Sequence, residues 1–535
     1  MDVDQLEKEL VNYPDRESAD RFISELRNGV YPGFRELPSD SFVCKNNLSA
    51  IRNPEIVDEL LQKEVEKGYV IGPLDDIPFE SYRISPISIA TKKYADPPKP
   101  RLVVDYSSPH DDPDHPSLND LISKEDFSLT YTKIDEAIKI IQTYGPNTWL
   151  CKTDLTDAFK QIMVHPSVWG YQGIRWRNKY YFFTRLVFGC RSSPALFDQL
   201  SRMIVWIAKN NYGIDVMLFL LDDFLCIDKP DHNAFRTMAI LTLILNKLRI
   251  PYSLKKTVGP VYSLEYLGLI LDTVNMLCQL PDDKLCRMKR MITEFLGKVE
   301  CTKREMLSLC GNLSYASRVV VSGRSFMFRL FRVAHSVDGL EEIVRIPKFA
   351  KYDLVMWLHF LNHWNGVSLF IENEATLADD MQLFTDASGN KDLGFGGYFQ
   401  KSWFFGGWPK EILSRLSKKA SIAFRELYPI VVAAILYGKS WSRKRIIFNC
   451  DNKGTCFIVN KGYSNKSEDI MRLMRRFTLV AAQFSFSYEA RYLPGRYNKL
   501  ADNLSRFKFQ AFRKLAPEAN DRPDEVPPPS EVMFG

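Results

Sequence analysis

The sequence predicts a multidomain protein that combines α/β and α+β architecture. Three observations support this class. The chain has 535 residues, which at about 150 residues per domain corresponds to three or four domains. Apolar segments of strand length alternate with segments of helical periodicity along most of the chain. Hydrophobic residues make up 45% and charged residues 25% of the chain, a composition typical of globular proteins rather than of disordered chains.

The first half of the chain alternates between helices and short strands. Residues 1–48 are predicted to form a helical or irregular arm. Asn53 can cap a helix that ends at Gly68, because the apolar residues between them recur at helical spacing. Prolines interrupt residues 69–105, which favours short strands and loops. The elements expected after this point are a helix at 133–143, the strand TWLCKTDL, a helix from about Ala158, the hairpin GYQGIRWRNKYYFFTRL, a helix at 193–210, two strands in VMLFLLDDFLCID, a helix at 236–249 and the strand YLGLIL.

The second half begins with a basic helical region and ends in a new α/β pattern. Helical periodicity dominates residues 282–345, and the Trp/His-rich segment KYDLVMWLHFLNHWNG suggests a connector after them. From residue 380 strands and helices alternate again, with a glycine-rich second strand, GFGGYF, and a helix at 421–438. The C-terminal residues include PDEVPPPS, and this proline-rich, acidic composition predicts a flexible tail.

The basic residues are concentrated in one region. Residues 284–332 contain eleven Lys/Arg and three Asp/Glu, whereas the whole chain has a net charge of +6. Such a cluster suits the phosphate backbone of a nucleic acid. A solvated helical face would have the same composition, and the charge pattern alone does not choose between the two interpretations.

Cysteine usage and hydropathy indicate the compartment. The ten cysteines form no CxxC pair and no zinc-like spacing with histidine, so we expect reduced, mostly buried thiols. The N-terminal sequence MDVDQLEKEL is acidic and lacks the apolar core of a signal peptide. No run approaches the roughly 18 apolar residues of a membrane span. These features predict an intracellular protein, cytoplasmic or nuclear, that does not bind a membrane.

Three aspartates lie at the ends of predicted apolar strands. Asp154 ends the strand TWLCKTDL, and Asp222 and Asp223 lie where LFLL and FLCI meet. Adjacent carboxylates beside buried strands are costly unless a cation compensates them, and Asp-Asp is not a common hairpin turn. Two-metal phosphoryl transfer requires carboxylates that hold two divalent ions about 3.5–4 Å apart. The alternative is a solvent-exposed hairpin turn with acidic tips.

A second set of carboxylates lies in the C-terminal α/β pattern. Asp386 ends the strand QLFTDAS and Asp451 ends IIFNCDN, whereas Glu426 and Asp502 lie on predicted helices. Four such carboxylates can also hold two metal ions, with water as the nucleophile and a phosphodiester as the scissile bond. Each acid taken singly is also compatible with a surface position, and Asp502 with a helix cap.

Five segments resemble motifs of retroelement reverse transcriptases, in the order that the family shows. They are SPISIATKKYADPPKPRLVVDYS, KTDLTDAFKQIMVHP, FGCRSSPALFDQL, LLDDF and YSLKKTVGPVYSLEYLGLIL. The resemblance implies a right-hand polymerase with fingers, palm and thumb. It also implies that Asp154, Asp222 and Asp223 are catalytic metal ligands. The chain departs from the family at Leu220, where an aromatic residue is usual.

The same resemblance assigns further residues to the substrates. The residues that would bind the incoming dNTP are Lys93, Arg101, Asp157, Ala158, Phe159 and Phe188, and the primer grip would comprise Tyr266, Leu267 and Gly268. Phe159 would be the aromatic gate that rejects a ribose 2′-OH. Either Lys255 or Lys256 would be the lysine beside the catalytic hairpin. Surface cations, a core phenylalanine and an ordinary buried strand would give the same pattern at these positions.

The C-terminal segment, about 380–508, resembles ribonuclease H. The resemblance rests on the order Asp, Glu, Asp, Asp, on TDAS before a glycine-rich strand, on the helix ELYPIVVA and on LPGRYNKLADNLSR. It implies that the catalytic metal ligands are Asp386, Glu426, Asp451 and Asp502. The catalytic histidine of some ribonucleases H is not evident. Arg496 lies in that loop instead, and it cannot transfer protons at neutral pH.

The two resemblances imply a domain order for the whole chain. The expected order is an N-terminal arm at 1–48, fingers and palm at 49–275, a helical thumb at 276–345, a connector at 346–379, a ribonuclease H-like domain at 380–510 and a flexible tail at 511–535. The stretch from GNLSYASRVV through the connector looks most like DIRS-like (tyrosine-recombinase) retrotransposons. Elements of that group also encode a recombinase.

The resemblances also carry an expected function. It is RNA- and DNA-directed DNA synthesis by two-metal nucleotidyl transfer, with cleavage of the RNA strand of RNA/DNA hybrids, in retrotransposon replication. The expected cofactor is Mg²⁺, with Mn²⁺ as the alternative, and two ions in each active site. The expected partners are an RNA template, a DNA primer, the RNA/DNA hybrid and dNTPs, with a recombinase of the same element as a further candidate. The competing hypotheses are a domesticated nucleic-acid-binding scaffold without catalysis and a polymerase whose nuclease is silent.

Overall fold

The chain folds into two compact units. The first comprises Met1–Leu267 and Leu271–Asn275, and the second comprises Gly268–Ile270 and Met276–Gly535. The structure is a computed structural model, and the residues that it describes are 1–38, 40–91, 100–110, 112, 114–131, 133–363, 368–369, 381–415, 422–442, 444–464, 467–484 and 486–533.

The first unit is a mixture of helices and mostly short strands. Its helices are α1 (Val3–Glu9), α2 (Arg16–Asn28), α3 (Leu48–Ile51), α4 (Pro54–Glu66), α5 (Ile134–Tyr144), α6 (Ser193–Asn210) and α7 (Ala234–Lys247). Its strands are β1 (Phe42–Val43), β2 (Val70–Leu74), β3 (Arg83–Ile84), β4 (Ile87–Ala90), β5 (Arg101–Val104), β6 (Trp149–Asp154), β7 (Gly173–Trp176), β8 (Lys179–Phe183), β9 (Met217–Leu220), β10 (Asp223–Asp228), β11 (Val258–Val261) and β12 (Ser263–Tyr266), and β13 (Leu269–Asp272) holds residues of both units. Within the described residues eleven of these strands form a five-stranded sheet, β1-β3-β7-β8-β2, a four-stranded sheet, β11-β6-β10-β9, and the pair β4-β5.

The four-stranded sheet carries the predicted aspartates of this unit. β10 is antiparallel to β6 on one side and to β9 on the other. The residues Phe224–Asp228 of β10 are all buried. A strand that is covered on both faces has no need of polar alternation, which explains the apolar sequence FLCI. The predicted pair of apolar strands joined at the aspartates is confirmed.

The predicted N-terminal arm is helical and belongs to the hydrophobic core of the first unit. α2 follows Asp15, whose carboxylate accepts a hydrogen bond from the Ser18 amide at 3.1 Å and so caps the helix. Phe22 of α2 is completely buried in the same cluster as the strand residues. The Glu9 carboxylate accepts a hydrogen bond from Lys247 Nζ at 2.5 Å, which ties the end of α1 to the end of α7.

The second unit contains a helical region followed by a larger sheet. Its helices are α8 (Asp282–Gly297), α9 (Lys303–Ala316), α10 (Phe328–Ala334), α11 (Lys348–His363), α12 (Lys410–Arg415), α13 (Ile422–Tyr437), α14 (Lys453–Lys461), α15 (Glu468–Phe484), α16 (Lys499–Ser505), α17 (Phe509–Leu515) and α18 (Pro529–Val532). Its strands are β14 (Leu277–Gln279), β15 (Glu300–Thr302), β16 (Ile343–Arg345), β17 (Ser368–Leu369), β18 (Gln382–Ala387), β19 (Gly394–Phe399), β20 (Ser402–Gly407), β21 (Arg445–Cys450) and β22 (Ser487–Tyr492). None of the helices in the described part of either unit is long and apolar enough to cross a membrane.

The larger sheet of the second unit has the order β20-β19-β18-β21-β22. β19 is antiparallel to its two neighbours, whereas β18, β21 and β22 run parallel. Because β18 and β21 are parallel neighbours, their carboxyl ends meet at one edge of the sheet. α13 packs on this sheet and is buried without interruption from Glu426 to Ala434, which explains its apolar sequence.

The basic helical region and the C-terminal sheet are joined by a buried ion cluster. Asp353 of α11 lies 3.6 Å from Arg329 of α10 and 3.6 Å from Arg475 of α15. Burial raises the pKa of Asp353 to about 7, and the two arginines oppose that shift. Glu468 forms ion pairs with both arginines as well. The helix of the predicted connector is therefore an integral part of the second unit.

The prediction of a flexible tail is wrong for its described part, which ends at Met533. Val532 and Met533 are buried in the core of the second unit. Trp403 Nε1 donates a hydrogen bond to the Asn520 carbonyl at 2.7 Å, and Tyr437 Oη donates one to the Asp524 carboxylate at 2.8 Å. The few apolar residues of this segment pack into the core although its average composition is polar and rich in proline.

The packing of the N-terminal helices gives a stability prediction. Replacing Phe22, which is fully buried, with alanine should lower the free energy of unfolding by about 3–5 kcal/mol, since burial is lost and a cavity remains. Val11→Ala is the matched control, because Val11 is 62% exposed and its loss should change stability by less than about 0.5 kcal/mol. Urea unfolding followed by circular dichroism measures both values, and equal midpoints would contradict a core role for α2.

Candidate active sites

The three aspartates of the first unit meet at one edge of the four-stranded sheet. Asp154, the last residue of β6, pairs in register with Asp223, the first residue of β10. The Leu155 amide donates a hydrogen bond to the Asp222 carbonyl at 2.9 Å. Backbone pairing therefore brings together carboxylates that lie about 70 residues apart in the sequence.

The turn that carries Asp222 is held in an unusual conformation. Leu221 has φ +55°, a left-handed conformation that costs a residue with a side chain about 1–2 kcal/mol. Ser201 of α6 donates a hydrogen bond from Oγ to the Leu221 carbonyl at 2.8 Å. The helix thus fixes the turn between β9 and β10, and with it the direction of the aspartates.

Burial makes the negative charge at this edge unfavourable. It raises the pKa of Asp222, to which Asp154 adds, and it raises the pKa of Asp223 to about 6. Lys152 Nζ lies 3.2 Å from Asp223 Oδ2. Lys256 donates to both carboxylate oxygens of Asp154, at 2.8 and 2.9 Å. The two lysines provide only part of the charge compensation that three carboxylates require.

One carboxylate oxygen of this edge remains buried without a partner. Asp223 Oδ1 has no hydrogen-bond donor among the residues that the structure describes. A buried carboxylate oxygen normally has a hydrogen bond or a cation. Carboxylate oxygens are also the ligands that Mg²⁺ and Mn²⁺ prefer. Asp154, Asp222 and Asp223 therefore fit a site for such cations.

Of the residues predicted to bind a nucleotide, Arg101 is electrostatically coupled to this edge, two phenylalanines contact each other, and Lys93 cannot be placed. Arg101 is exposed at the start of β5, and its charge lowers the pKa of Asp222, against the larger effect of burial. Phe159 is 7% exposed, and its ring centroid lies 4.8 Å from that of Phe188, which is 53% exposed. Lys93 lies outside the described residues.

The backbone at Asp157 and Ala158 is held by residues of another segment. Asp157 has φ +50°, and its Oδ2 accepts a hydrogen bond from Lys67 Nζ at 2.6 Å and one from Tyr69 Oη at 3.4 Å. Ala158 begins a short 3₁₀ helix and is buried. The Asp157 side chain is thus occupied within the protein, so any contact to a nucleotide at this position falls to the backbone.

The predicted primer grip divides into a buried and an accessible part. Tyr266 is 0% exposed, so its ring is not available to a nucleic acid. Leu267 and Gly268 follow it with φ +44° and +83° and form a tight turn. In the second unit, Lys284 Nζ donates a hydrogen bond to the Gly268 carbonyl at 2.8 Å. Only the turn remains a candidate contact surface.

The four acids of the second unit also converge. Asp386 and Asp451 lie at the adjacent ends of β18 and β21, and Glu426 reaches them from α13. Burial, followed by the charges of its neighbours, raises the pKa of Asp386 to about 6 and that of Glu426 to about 9. Burial also raises the pKa of Asp451, and Asp502 of α16 adds to that shift. The four carboxylates are therefore close enough to raise one another's pKa values.

Several residues of this second site escaped the sequence analysis. Ser505 Oγ donates a hydrogen bond to Asp386 Oδ2 at 2.5 Å, and Arg506 forms an ion pair with Asp502 at 2.6 Å. Both follow Asp502 within one helical turn, so helical spacing was the available signal. Cys450, the residue before Asp451, also faces the site: its Sγ lies 4.0 Å from Glu426 Oε2.

Comparison with protein families identifies part of the chain. A family model described as reverse transcriptase (RNA-dependent DNA polymerase) matches residues 80–271. This segment is a reverse transcriptase domain. The match includes Asp154, Asp222 and Asp223 and ends before the carboxylates of the second unit. A curated relative of the chain is a transposon Pol polyprotein.

That relative is the retrovirus-related Pol polyprotein from transposon opus of Drosophila melanogaster. It is 27% identical to this chain over 221 residues, which cover 40% of this chain and 19% of the polyprotein. The chain therefore spans less than a fifth of the length of this relative. Two solved structures of foamy viral protease-reverse transcriptase, one with double-stranded DNA and one with an RNA/DNA hybrid, each align with 92% of the chain, 15% identity and a TM-score of 0.46. They are covered over 82% and 63% of their own lengths.

The lysine on Asp154 gives a prediction for metal binding to the reverse transcriptase domain. Lys256→Met removes a positive charge from the cation site, so Mn²⁺ should bind about threefold more tightly, a modest gain because Lys256 is largely exposed. Lys255→Met is the matched control, since Lys255 is an exposed neighbour whose loss removes the same charge from the chain. Calorimetric titration with Mn²⁺, with Asp451→Asn also present in each chain, measures the affinities of both variants. Equal affinities would show that Lys256 does not compete for Asp154.

Proposed function

We propose that this chain is an RNA-directed DNA polymerase that also accepts a DNA template. The observation that carries the proposal is the register of β6 and β10, which pairs Asp154 with Asp223, next to Asp222, at a sheet edge. These residues lie inside the segment that matches the reverse transcriptase family. The nucleotidyl transfer would use two divalent ions, Mg²⁺ or Mn²⁺. These ions, when bound, would activate the primer hydroxyl and neutralise the charge that develops on the leaving pyrophosphate.

The residues of the chain would orient and hold the reactants. Asp154, Asp222 and Asp223 would hold the ions. Lys256, which lies on Asp154 in this structure, would have to leave that carboxylate when an ion binds. Its ammonium group would then be free to approach the triphosphate. Phe159 and Phe188 pack against each other and would form the wall beside the nucleotide sugar.

A nucleic-acid duplex is the partner that the basic region of the second unit suits. Some of its cations, such as Lys298, Arg304 and Arg329, form ion pairs inside the unit. Others are exposed, namely Arg290, Arg318, Arg324 and Arg332. Such cations contact phosphates without reading the base sequence, as a polymerase that copies any template requires. We assign this region, residues 276–345, to the thumb that follows fingers and palm at 49–275.

We further propose that residues 380–510 are a ribonuclease H that cleaves the RNA strand of an RNA/DNA hybrid. Support comes from the strand order, with two parallel strands delivering Asp386 and Asp451 to one edge, and from the convergence of Glu426 and Asp502 on that edge. Two divalent ions held there would activate a water molecule for attack on a phosphodiester. Arg496 cannot act as a proton shuttle, so proton transfer would fall to water.

The biological setting proposed is the replication of a retrotransposon inside the cell. The family match and the transposon relative support the retroelement origin. The ten free cysteines are what a reducing compartment, cytoplasm or nucleus, would maintain. The finer assignment to DIRS-like elements, with a recombinase as a further partner, rests on the resemblance of the stretch from GNLSYASRVV to the connector.

Two aspartate variants test whether the activities and their sites are separate. With an RNA template, a labelled DNA primer, dNTPs and Mg²⁺, Asp222→Asn should abolish primer extension, because a metal ligand loses its charge. Asp451→Asn should abolish cleavage of the RNA strand on the same gel and leave extension intact. Each variant is the control for the other.

Three outcomes would contradict parts of the proposal. If wild-type chain binds the hybrid but neither extends nor cuts it with Mg²⁺ or Mn²⁺, the chain is a nucleic-acid-binding scaffold. If it extends but does not cut, the nuclease is silent. If Asp222→Asn also abolishes cleavage while the hybrid is still bound, the two sites are not independent.

The buried acids predict different pH dependences for the two metal sites. A protonated carboxyl group cannot bind a metal ion, so the ion concentration needed for half-maximal rate falls as pH rises through the raised pKa values. For DNA synthesis this fall should level off above about pH 7, because the pKa of Asp223 is about 6. For RNA cleavage it should continue towards pH 9, because the pKa of Glu426 is about 9. Mg²⁺ titrations of both activities from pH 6 to 9 test this, and parallel curves would contradict it.

A further inference from the structure

A thiol lies among the carboxylates of the second unit. The ligand atoms of Glu426, Cys450 and Asp451 all lie within 4.8 Å of one another. Glu426 and Cys450 are buried, and Asp451 is half-buried. Neither of the two resemblances assigns a role to a cysteine at this position. The three residues differ from the first unit's site, where the ligands offered are carboxylate oxygens alone.

Cys450 belongs to the hydrophobic core of the second unit and lies where that core meets the acidic site. Cys450 is the last residue of β21, where the strand pairs with Tyr492 of β22. The Asn452 amide donates a hydrogen bond to Cys450 Sγ at 3.4 Å, and that sulfur lies 4.0 Å from Glu426 Oε2. Cys456, one turn into α14, donates from its Sγ to the Cys450 carbonyl at 3.8 Å. The Cys456 thiol and burial raise the pKa of Cys450, and the Asn452 amide opposes that shift, so a bound cation would have to displace the thiol proton.

The donor set matches a thiophilic divalent cation. Zn²⁺ binds thiolate sulfur at about 2.3 Å and carboxylate oxygen at about 2.0–2.2 Å, so its donors in a tetrahedral site lie roughly 3.3–3.8 Å apart. The present separations, up to 4.8 Å, need only small side-chain movements to reach such values. Mg²⁺ gains nothing from a sulfur ligand, because it prefers oxygen.

We propose that Glu426, Cys450 and Asp451 form a mixed thiolate–carboxylate site that binds Zn²⁺ or a cation of similar softness. On binding, the S–H bond of Cys450 breaks, its proton passes to solvent and a metal–sulfur bond forms, with no change of oxidation state. The functional consequence of this site, inhibition of RNA cleavage, rests on the proposed nuclease. Zn²⁺ would draw Glu426 and Asp451 away from the catalytic Mg²⁺ and inhibit RNA cleavage, and DNA synthesis at the oxygen-only site would continue.

Cobalt spectroscopy on the full chain tests the site without reference to activity. Co²⁺ bound to a thiolate absorbs in the near ultraviolet, whereas Co²⁺ bound only to oxygen does not. Wild-type chain should show this absorption, and stoichiometric Zn²⁺ should remove it. Cys450→Ser should abolish it. Cys456→Ser and Cys286→Ser, which remove the neighbouring buried thiol and an exposed one, should retain it. Absence from wild type, or persistence in Cys450→Ser, overturns the proposal.

A second variant covers the case in which Cys450→Ser does not fold, as judged by circular dichroism. Glu426→Gln keeps the thiol but removes a charged ligand, so it should weaken Co²⁺ binding about tenfold or more while the sulfur absorption persists at saturation. Unchanged affinity in Glu426→Gln overturns the proposal.

Activity assays separate this inference from the proposed function. Relative to its own rate in Mg²⁺, Cys450→Ser should need about tenfold more Zn²⁺ for half-inhibition of RNA cleavage than wild type, and primer extension should need the same concentration in both. Equal Zn²⁺ sensitivity of cleavage overturns the regulatory consequence. A wild-type chain that never cleaves RNA would refute the nuclease, and the cobalt absorption would still decide the metal site.

Discussion

The structure depends on one constraint, the placement of carboxylates at the edges of buried sheets. In the first unit Asp223 begins a strand whose other residues are fully covered, so its charge has little contact with water. Lys152 and Lys256 compensate part of that charge, and one oxygen of Asp223 has no partner among the described residues. Such an arrangement is costly for stability alone, and the proposed divalent cations would compensate that cost.

The second unit also places carboxylates at the edge of a buried sheet, but different elements and side chains surround them. Its acids come from two parallel strand ends and two helices, and Glu426 projects from α13 at a buried position. Instead of lysines, Ser505 at the end of α16 and the following Arg506 contact Asp386 and Asp502. Burial, with the charges of Asp386 and Asp451, raises the pKa of Glu426 further than that of Asp223 in the first unit. Cys450 also offers a sulfur ligand here, so the cations that would suit this site differ from those that would suit the oxygen-only site of the first unit.

The N-terminal helices and the C-terminal segment, as far as Met533, are integrated in their units. The N-terminal helices contribute Phe22 and Glu9 to the first unit, one by burial and one by an ion pair with Lys247. The C-terminal segment closes the core of the second unit with Val532. In the same unit Asp353 and its two arginines join the basic helices to α15. The proposed thumb and the proposed nuclease therefore belong to one compact unit.

The sequence by itself determined the elements whose information is local. Apolar runs that end in aspartate predicted β6, β9, β10 and the acids at their ends, because a few adjacent residues determine whether a segment forms a buried strand and where it turns. Only the tertiary structure decided which lysine lies on Asp154, that Tyr266 is buried, that the tail packs, and that Cys450 joins Glu426. These outcomes depend on contacts between residues that are distant in sequence, and spacing along the chain does not encode them. The composition of the tail gave a wrong prediction for the same reason. A few apolar residues are enough to hold a segment in place when they pack into a core formed by distant parts of the chain.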